Sequence, residues 1–326
     1  MMPLLDSIGR HINYLRLSVT DRCNLRCTYC MPEAGIGKIA HSDILSYEEL
    51  YRIAQAAVSI GIDKIRITGG EPLVRKGIIH FLQQLSKIPG LEQLVLTTNG
   101  VLLEEMAADL RAAGVQRLNI SLDSLNPNTF AQISRRGDLM RVLAGIEAAK
   151  ASGFPIKLNM VVMRGINDHE IVDLAALATT SAITVRFIEY MPAIREHNWQ
   201  KLVVPGSEIL SRLAQHFTLV PVEQSETAGP ARNFRIPGAI GTLGVITPVS
   251  HDFCSECNRI RVTASGLAKG CLFSTSQVDL KLALRNGSNM LLNQALGSVV
   301  ETKPVRHQMN PEECYHQAFS MSSIGG

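Results

Sequence analysis

Tyr14-Leu15-Arg16-Leu17-Ser18-Val19-Thr20-Asp21-Arg22-Cys23-Asn24-Leu25-Arg26-Cys27-Thr28-Tyr29-Cys30 is the stretch on which the fold turns. Tyr14 to Val19 is a strand-like run, and the cysteines that follow it are spaced C-x3-C-x2-C. A structural zinc site or an ordinary electron-transfer cluster closes its shell with four protein ligands. Three thiolates placed just past a strand end instead read as ligands of a four-iron cluster with one iron open to a small molecule. A zinc site is the competing reading of the triplet.

Working outward, similar strand-like runs occur at Lys64 to Thr68, Gln93 to Thr98, Gln116 to Leu122, Ile156 to Val162 and Thr184 to Tyr190. Helical patterns separate them. In the first, Ser46 and Glu49 form a capping box, Leu50, Ile53, Ala54, Ala57 and Val58 share one face, and Gly61 can end the helix. Further stripes run through Leu102, Leu103, Met106, Ala107 and Leu110, and through Leu143, Ile146, Ala149 and Lys150. Repeated strand–helix units require a parallel sheet. Six of them can curl into a partial (β/α)6 barrel, an α/β fold whose functional loops lie at the strand C-terminal ends. Residues 1–204 are expected to form this barrel, and 205–326 a C-terminal region over its mouth.

Composition limits the alternatives. A chain of 326 residues with 46% hydrophobic content can bury a large core, so disorder is not expected. A net charge of +3 and 5% aromatic residues argue against a nucleic-acid or membrane partner acting through bulk charge. Met1 to Arg10 lacks a signal-peptide core and no run of about 18 apolar residues is present, so a cytoplasmic location is expected. Six of the seven cysteines fall in two clusters, which suits metal binding better than disulfides; Cys314 reads as a structural or surface thiol.

Polar and small residues collect at the strand ends: Gly69-Gly70-Glu71-Pro72, Thr97-Thr98-Asn99, Ser121 and Asp123, and Met191. Gly69 and Gly70 let backbone approach a ligand, and Glu71 can accept from an ammonium group. The cysteine triplet followed by this Gly-Gly-Glu-Pro segment resembles the radical S-adenosylmethionine (SAM) enzymes. The resemblance implies that the open iron binds SAM, that Gly69, Gly70 and Glu71 hold its methionine amino group, and that Tyr29, Ser121 and Met191 contact it.

A second triplet, Cys254, Cys257 and Cys271, is spaced C-x2-C-x13-C and leads into Asn258-Arg259-Ile260-Arg261. A second open cluster is expected; a zinc site completed by His251 is the alternative. With this triplet the resemblance narrows to the radical SAM enzymes of molybdenum cofactor biosynthesis, and it extends from Tyr14 to the terminal Gly325-Gly326. Lys64 and Arg66 alternate on one strand and so share a face, as do Arg259 and Arg261 if their segment is extended. Inward cations need an anion. The resemblance implies that the anion is GTP, cyclised as the first step of the pathway, and assigns Arg16, Lys64, Arg66, Thr97, Lys157, Arg186, Arg259 and Arg261 to it. Residue spacing leaves open which of Thr97 and Thr98 makes the contact. The resemblance further implies two 4Fe-4S clusters, a catalytic role for Arg259, Arg261 and the Gly325-Gly326 tail, and a homodimer. It also implies an electron donor of flavodoxin or ferredoxin type and release of the product to cyclic pyranopterin monophosphate synthase. The remaining alternatives are another twin-cluster radical SAM enzyme, such as a peptide-modifying maturase, and a zinc-binding interaction module.

Overall fold

The computed structural model describes residues 3–35, 37, 39–191, 198–223, 229–307 and 321. Six βα units open the chain: β1 (Tyr14–Ser18), α1 (Tyr47–Ser59), β2 (Lys64–Thr68), α2 (Ile78–Leu85), β3 (Gln93–Thr98), α3 (Leu103–Ala112), β4 (Arg117–Ser121), α4 (Pro127–Ser134), α5 (Leu139–Ala151), β5 (Ile156–Val162), α6 (Ile171–Thr180) and β6 (Ile183–Glu189). The six strands coincide with the expected runs to within one residue or so at each end. After α7 (Gly206–Ala214) come β7 (Val220–Pro221), β8 (Arg232–Arg235), β9 (Thr242–Ile246), β10 (Arg259–Val262), β11 (Leu267–Lys269), β12 (Val278–Asp279), α8 (Lys281–Arg285) and α9 (Asn289–Glu301).

All twelve strands join one sheet in the order β12-β11-β10-β1-β2-β3-β4-β5-β6-β9-β8-β7. The run from β10 through β1–β6 to β9 is parallel throughout. Antiparallel β11–β12 and β8–β7 extend its two ends, which among the described residues do not pair with each other, so the barrel stays open. Side-chain alternation gives the sheet two faces. In β5, Ile156, Leu158, Met160 and Val162 are buried against the helices, while Lys157, Asn159 and Val161 are half-buried on the inner face. Leu15, Leu17, Ile65, Ile67, Leu96, Leu118 and Ile120 repeat the outer pattern and merge with the helical stripes into one core.

Helix α1 carries the expected capping box: Ser46 accepts from the Glu49 amide, and Glu49 accepts from the Ser46 amide at 2.7 Å. Its stripe Leu50, Ile53, Ala54, Ala57 and Val58 is buried. Asp138 caps α5 through the Met140 amide; Ile146 and Ala149 of its expected stripe are buried with Leu139 and Val142, Leu143 is half-buried against the same core, and Lys150 is half-buried. Leu102 lies just before α3 rather than in it, packed against that core. Among the described residues no helix is long and apolar enough to cross a membrane.

Candidate active site

The inner face of the sheet lines a cavity of about 570 Å³, within the range of small-molecule sites. Six strands of one sheet can surround one cavity only if the sheet is curled. The pairing register sets the wall. Arg259, Tyr14 and Lys64 are aligned across β10, β1 and β2, and Arg261, Arg16 and Arg66 form the next row. Farther round, Asn119 pairs with Lys157 and Asn159 with Arg186.

Eight basic side chains therefore face the cavity: Arg16, Lys64, Arg66, Arg117, Lys157, Arg186, Arg259 and Arg261. Arg16, Lys64, Arg66, Arg117, Lys157, Arg186 and Arg259 form no ion pair with a carboxylate among the described residues. Tyr14 stands at their centre, with Lys64 Nζ 4.8 Å, Arg66 Cζ 5.3 Å and Arg16 Cζ 5.9 Å from its ring centre. Burial alone would raise its phenol, but the charges of Arg66, Arg16, Lys64 and Arg259 outweigh burial and bring it down to about 7. Lys157 is lowered to about 6, first by burial and then by Arg186 and Arg117, and Lys64 to about 8, mainly by burial. The Nε atoms of Arg66, Arg117 and Arg186, Thr97 Oγ1, Asn119 Oδ1 and Asn159 Oδ1 are buried without a hydrogen-bond partner. Buried polar atoms are normally satisfied, so the three guanidinium Nε–H groups and the Thr97 hydroxyl offer donors suited to an anionic ligand, and the two amide oxygens offer acceptors beside them.

The two threonines part company here. Thr98 Oγ1 donates to Glu71 at 2.9 Å, whereas Thr97 Oγ1 is unpartnered on the cavity wall. Glu71 is buried and also accepts from the amides of Leu73 and Asn99. It shapes the loop after β2, and burial raises its carboxyl to about 7 in spite of these donors. Gly70 lies where that loop crosses the cysteine loop: its amide donates to the Thr20 carbonyl, and a Cβ there would stand 2.6 Å from the Arg22 carbonyl carbon. Glycine is the residue that permits such contact.

Cys23, Cys27 and Cys30, together with Tyr29, Gly69, Gly70, Ser121 and Met191, line one end of the cavity; Cys254, Cys257 and Cys271 line it beside Arg259 and Arg261. Among the described residues no three His, Cys, Asp or Glu side chains converge on a single-ion site, and His251, the alternative zinc ligand, is exposed outside the cavity wall. Three thiols of each triplet stand on the cavity wall, a donor set of the kind an iron–sulfur cluster takes. The Leu25 amide donates to Cys23 Sγ at 3.4 Å, and Arg259 and Lys303 outweigh burial to hold the Cys257 thiol down to about 5, whereas burial raises the thiols of Cys23, Cys27, Cys30 and Cys254. Tyr29 is fixed by donating its hydroxyl to Asp123 at 2.8 Å, whose other oxygen accepts from the Val161 amide at 2.9 Å.

The cavity thus brings together every expected site residue except Gly325 and Gly326, which lie outside the described residues, as does Cys314. Sequence reading missed Tyr14, Arg117, Asn119, Asn159 and Lys303. Strand alternation from Ser121 and Lys157 would have found Arg117, Asn119 and Asn159; no local pattern announces Lys303.

Comparison with known proteins agrees. The Radical SAM superfamily matches residues 17–178, and the Molybdenum Cofactor Synthesis C family matches residues 183–309. A Geobacter sulfurreducens protein named GTP 3',8-cyclase is 64% identical over 100% of both chains. A Moorella thermoacetica protein of the same name is 46% identical over 98% of this chain and 99% of that one. In structure, Streptococcus suis SuiB bound to S-adenosylmethionine aligns with a TM-score of 0.59 at 14% identity, covering 90% of this chain and 64% of that one, a likeness of fold alone. Full-length identity at this level, with both domains matched in order, means that the chain belongs to the GTP 3',8-cyclase family of radical SAM enzymes.

Proposed function

We propose that this chain converts GTP to 3',8-cyclo-7,8-dihydroguanosine 5'-triphosphate, the first step of molybdenum cofactor biosynthesis. One observation carries the reading: eight basic side chains, among them Arg66, Arg117 and Arg186 with buried Nε atoms that lack a partner, face a cavity bounded by two cysteine triplets. A triphosphate supplies the charge they lack.

Cys23, Cys27 and Cys30 would ligate one 4Fe-4S cluster, and Cys254, Cys257 and Cys271 a second. When bound, the first cluster and SAM supply the radical chemistry that removes a hydrogen from the GTP ribose. The chain's own residues do the rest. Gly69, Gly70, Glu71, Tyr29, Ser121 and Met191 seat SAM beside the first triplet. Arg16, Lys64, Arg66, Thr97, Lys157 and Arg186, joined by Arg117, neutralise the triphosphate and fix its direction. Arg259 and Arg261 hold the nucleotide against the second triplet. A buried wall excludes water, and a substrate held at many points leaves a reactive carbon only its intended neighbour. The Gly325-Gly326 tail is assigned a catalytic part in the same cavity. The division into a barrel to residue 204 and a covering region from 205, the homodimer, a flavodoxin- or ferredoxin-type donor, and hand-over to cyclic pyranopterin monophosphate synthase belong to the same reading. So does a cytoplasmic location. The comparisons favour neither the maturase nor the zinc-module alternative.

The test is anaerobic incubation of the reconstituted enzyme with GTP, SAM and a reductant, followed by mass spectrometry of the nucleotide. Cys23→Ala, Cys27→Ala or Cys30→Ala should stop SAM cleavage, while Arg259→Ala or Arg261→Ala should weaken GTP binding and spare SAM binding. Normal 5'-deoxyadenosine formation in the cysteine variants, or equal loss of both ligands in the arginine variants, would refute these assignments.

A further inference from the structure

Lys303 is a lysine in an unusual position: two residues past α9, 3% exposed, and facing no carboxylate at hydrogen-bond distance among the described residues. Its ammonium makes three contacts, to Cys257 Sγ at 3.4 Å, the Arg259 carbonyl at 2.8 Å and the Gly270 carbonyl at 2.5 Å. An ammonium has three N–H donors, so all are used, and the charge sits against a cysteine sulfur. Gly270 precedes Cys271, and a Cβ on it would lie 3.0 Å from Lys303 Cα, so the two segments touch along their backbones. Arg10 completes the arrangement. Paired with Asp6, it donates to the Cys254 carbonyl at 2.6 Å and to the carbonyls of Pro304 and Val305 at 2.8 and 3.2 Å. Residues 303–305 therefore form a strap that two buried cations tie to all three cysteine-bearing segments.

We propose that Lys303 is a positioning and charge-compensating residue of the second cysteine site: it holds the Cys257 and Cys271 segments in ligating register and stabilises both the Cys257 thiolate and an electron added to the cluster bound there. The inference rests on the reading that the second triplet binds a cluster. Donors to ligand sulfurs and nearby positive charge favour the reduced form of an iron–sulfur centre, and residues that orient ligands typically change metal retention 10–100-fold when lost. Arg259 Nη2, at 3.8 Å from the same sulfur, also faces the cavity; Lys303 is committed to protein acceptors on every side.

The experiment uses the full chain with Cys23, Cys27 and Cys30 changed to alanine, so that only the second site can be loaded. Lys303, Lys303→Met, Lys303→Gln and Lys303→Arg forms are reconstituted with iron and sulfide, and iron content, iron loss to a chelator and the midpoint potential by EPR-monitored titration are measured. With Lys303 present, a cluster should form. The Met and Gln forms should lose iron about 10-fold faster or more and have a lower midpoint potential, while Arg should recover much of that potential. Potentials and release rates in Met and Gln equal to those with Lys303 would overturn the inference. Absence of a cluster even with Lys303 would remove the second-cluster reading, and this inference with it. If Met fails to fold before iron is added, Gln, which keeps two N–H donors without charge, decides. Unfolding of both metal-free forms would assign Lys303 to ordinary core structure and overturn the proposal.

Discussion

Replacing Arg66 with methionine should stabilise the GTP-free protein while disabling the cavity for GTP. Arg66 is 8% exposed, and its Nε has no partner. Burial first, then repulsion from Arg186, Arg117 and Arg259, lowers its guanidinium to about 10 despite the attraction of Tyr14. Against the ordinary 12.5, this corresponds to roughly 3 kcal/mol of strain on the charged form. A cation whose pKa is depressed by folding bears that cost at every pH below its folded value, so the full cost applies at neutral pH. Methionine removes the charge and keeps an apolar stem, but the cation–π contact with Tyr14 at 5.3 Å is lost, an offset of about 1 kcal/mol. A net gain of about 1–2 kcal/mol should raise the melting temperature of the cluster-loaded, GTP-free enzyme by roughly 2–5 °C. GTP binding should weaken by about 2–5 kcal/mol, or about 30-fold to several thousand-fold, as expected when one partner of a buried charge pair is removed. Differential scanning calorimetry and anaerobic titration calorimetry measure the two effects. A lower melting temperature with unchanged GTP affinity would make Arg66 a structural cation and refute the argument.

Three further outcomes follow from other parts of the site. Lys157, lowered to about 6, is uncharged in the empty enzyme at pH 8, and phosphate should restore its proton; GTP binding should then take up as much as about one proton, read from calorimetry in buffers of different ionisation enthalpy, and Lys157→Met should abolish the uptake. Gly70→Ala drives a Cβ into the Arg22 carbonyl group, so the cysteine loop must move; stability should fall by about 2–4 kcal/mol and SAM cleavage should be lost, as followed by thermal melting and 5'-deoxyadenosine yield. Asp123→Asn gives up one of the two acceptor oxygens that serve Tyr29 and Val161; at about 1–3 kcal/mol for a stranded donor, SAM affinity should fall about 10-fold or more, with GTP affinity within twofold.

Local patterns are what the chain states openly. The six strand runs, the Ser46–Glu49 box and the first apolar stripe are legible because a strand's period, a helix's period and a cap each involve residues only a few positions apart. Both triplets and the inward alternation of Lys64 with Arg66 are legible for the same reason. Pairings between distant segments belong to tertiary structure alone. Nothing in Arg259–Val262 says that it lies beside β1, yet that pairing puts Arg259 level with Tyr14 and Arg261 level with Arg16 and brings the second triplet to the same cavity as the first. Lys303 reaches Cys257 across 46 residues of chain, and Arg10 reaches Cys254 across 244. Periodicity reports which face a residue takes on its own element; which elements meet is decided by the packing of the complete sheet, and so the sequence alone named both cysteine triplets and most of the basic residues, while only the fold gathered them around one cavity.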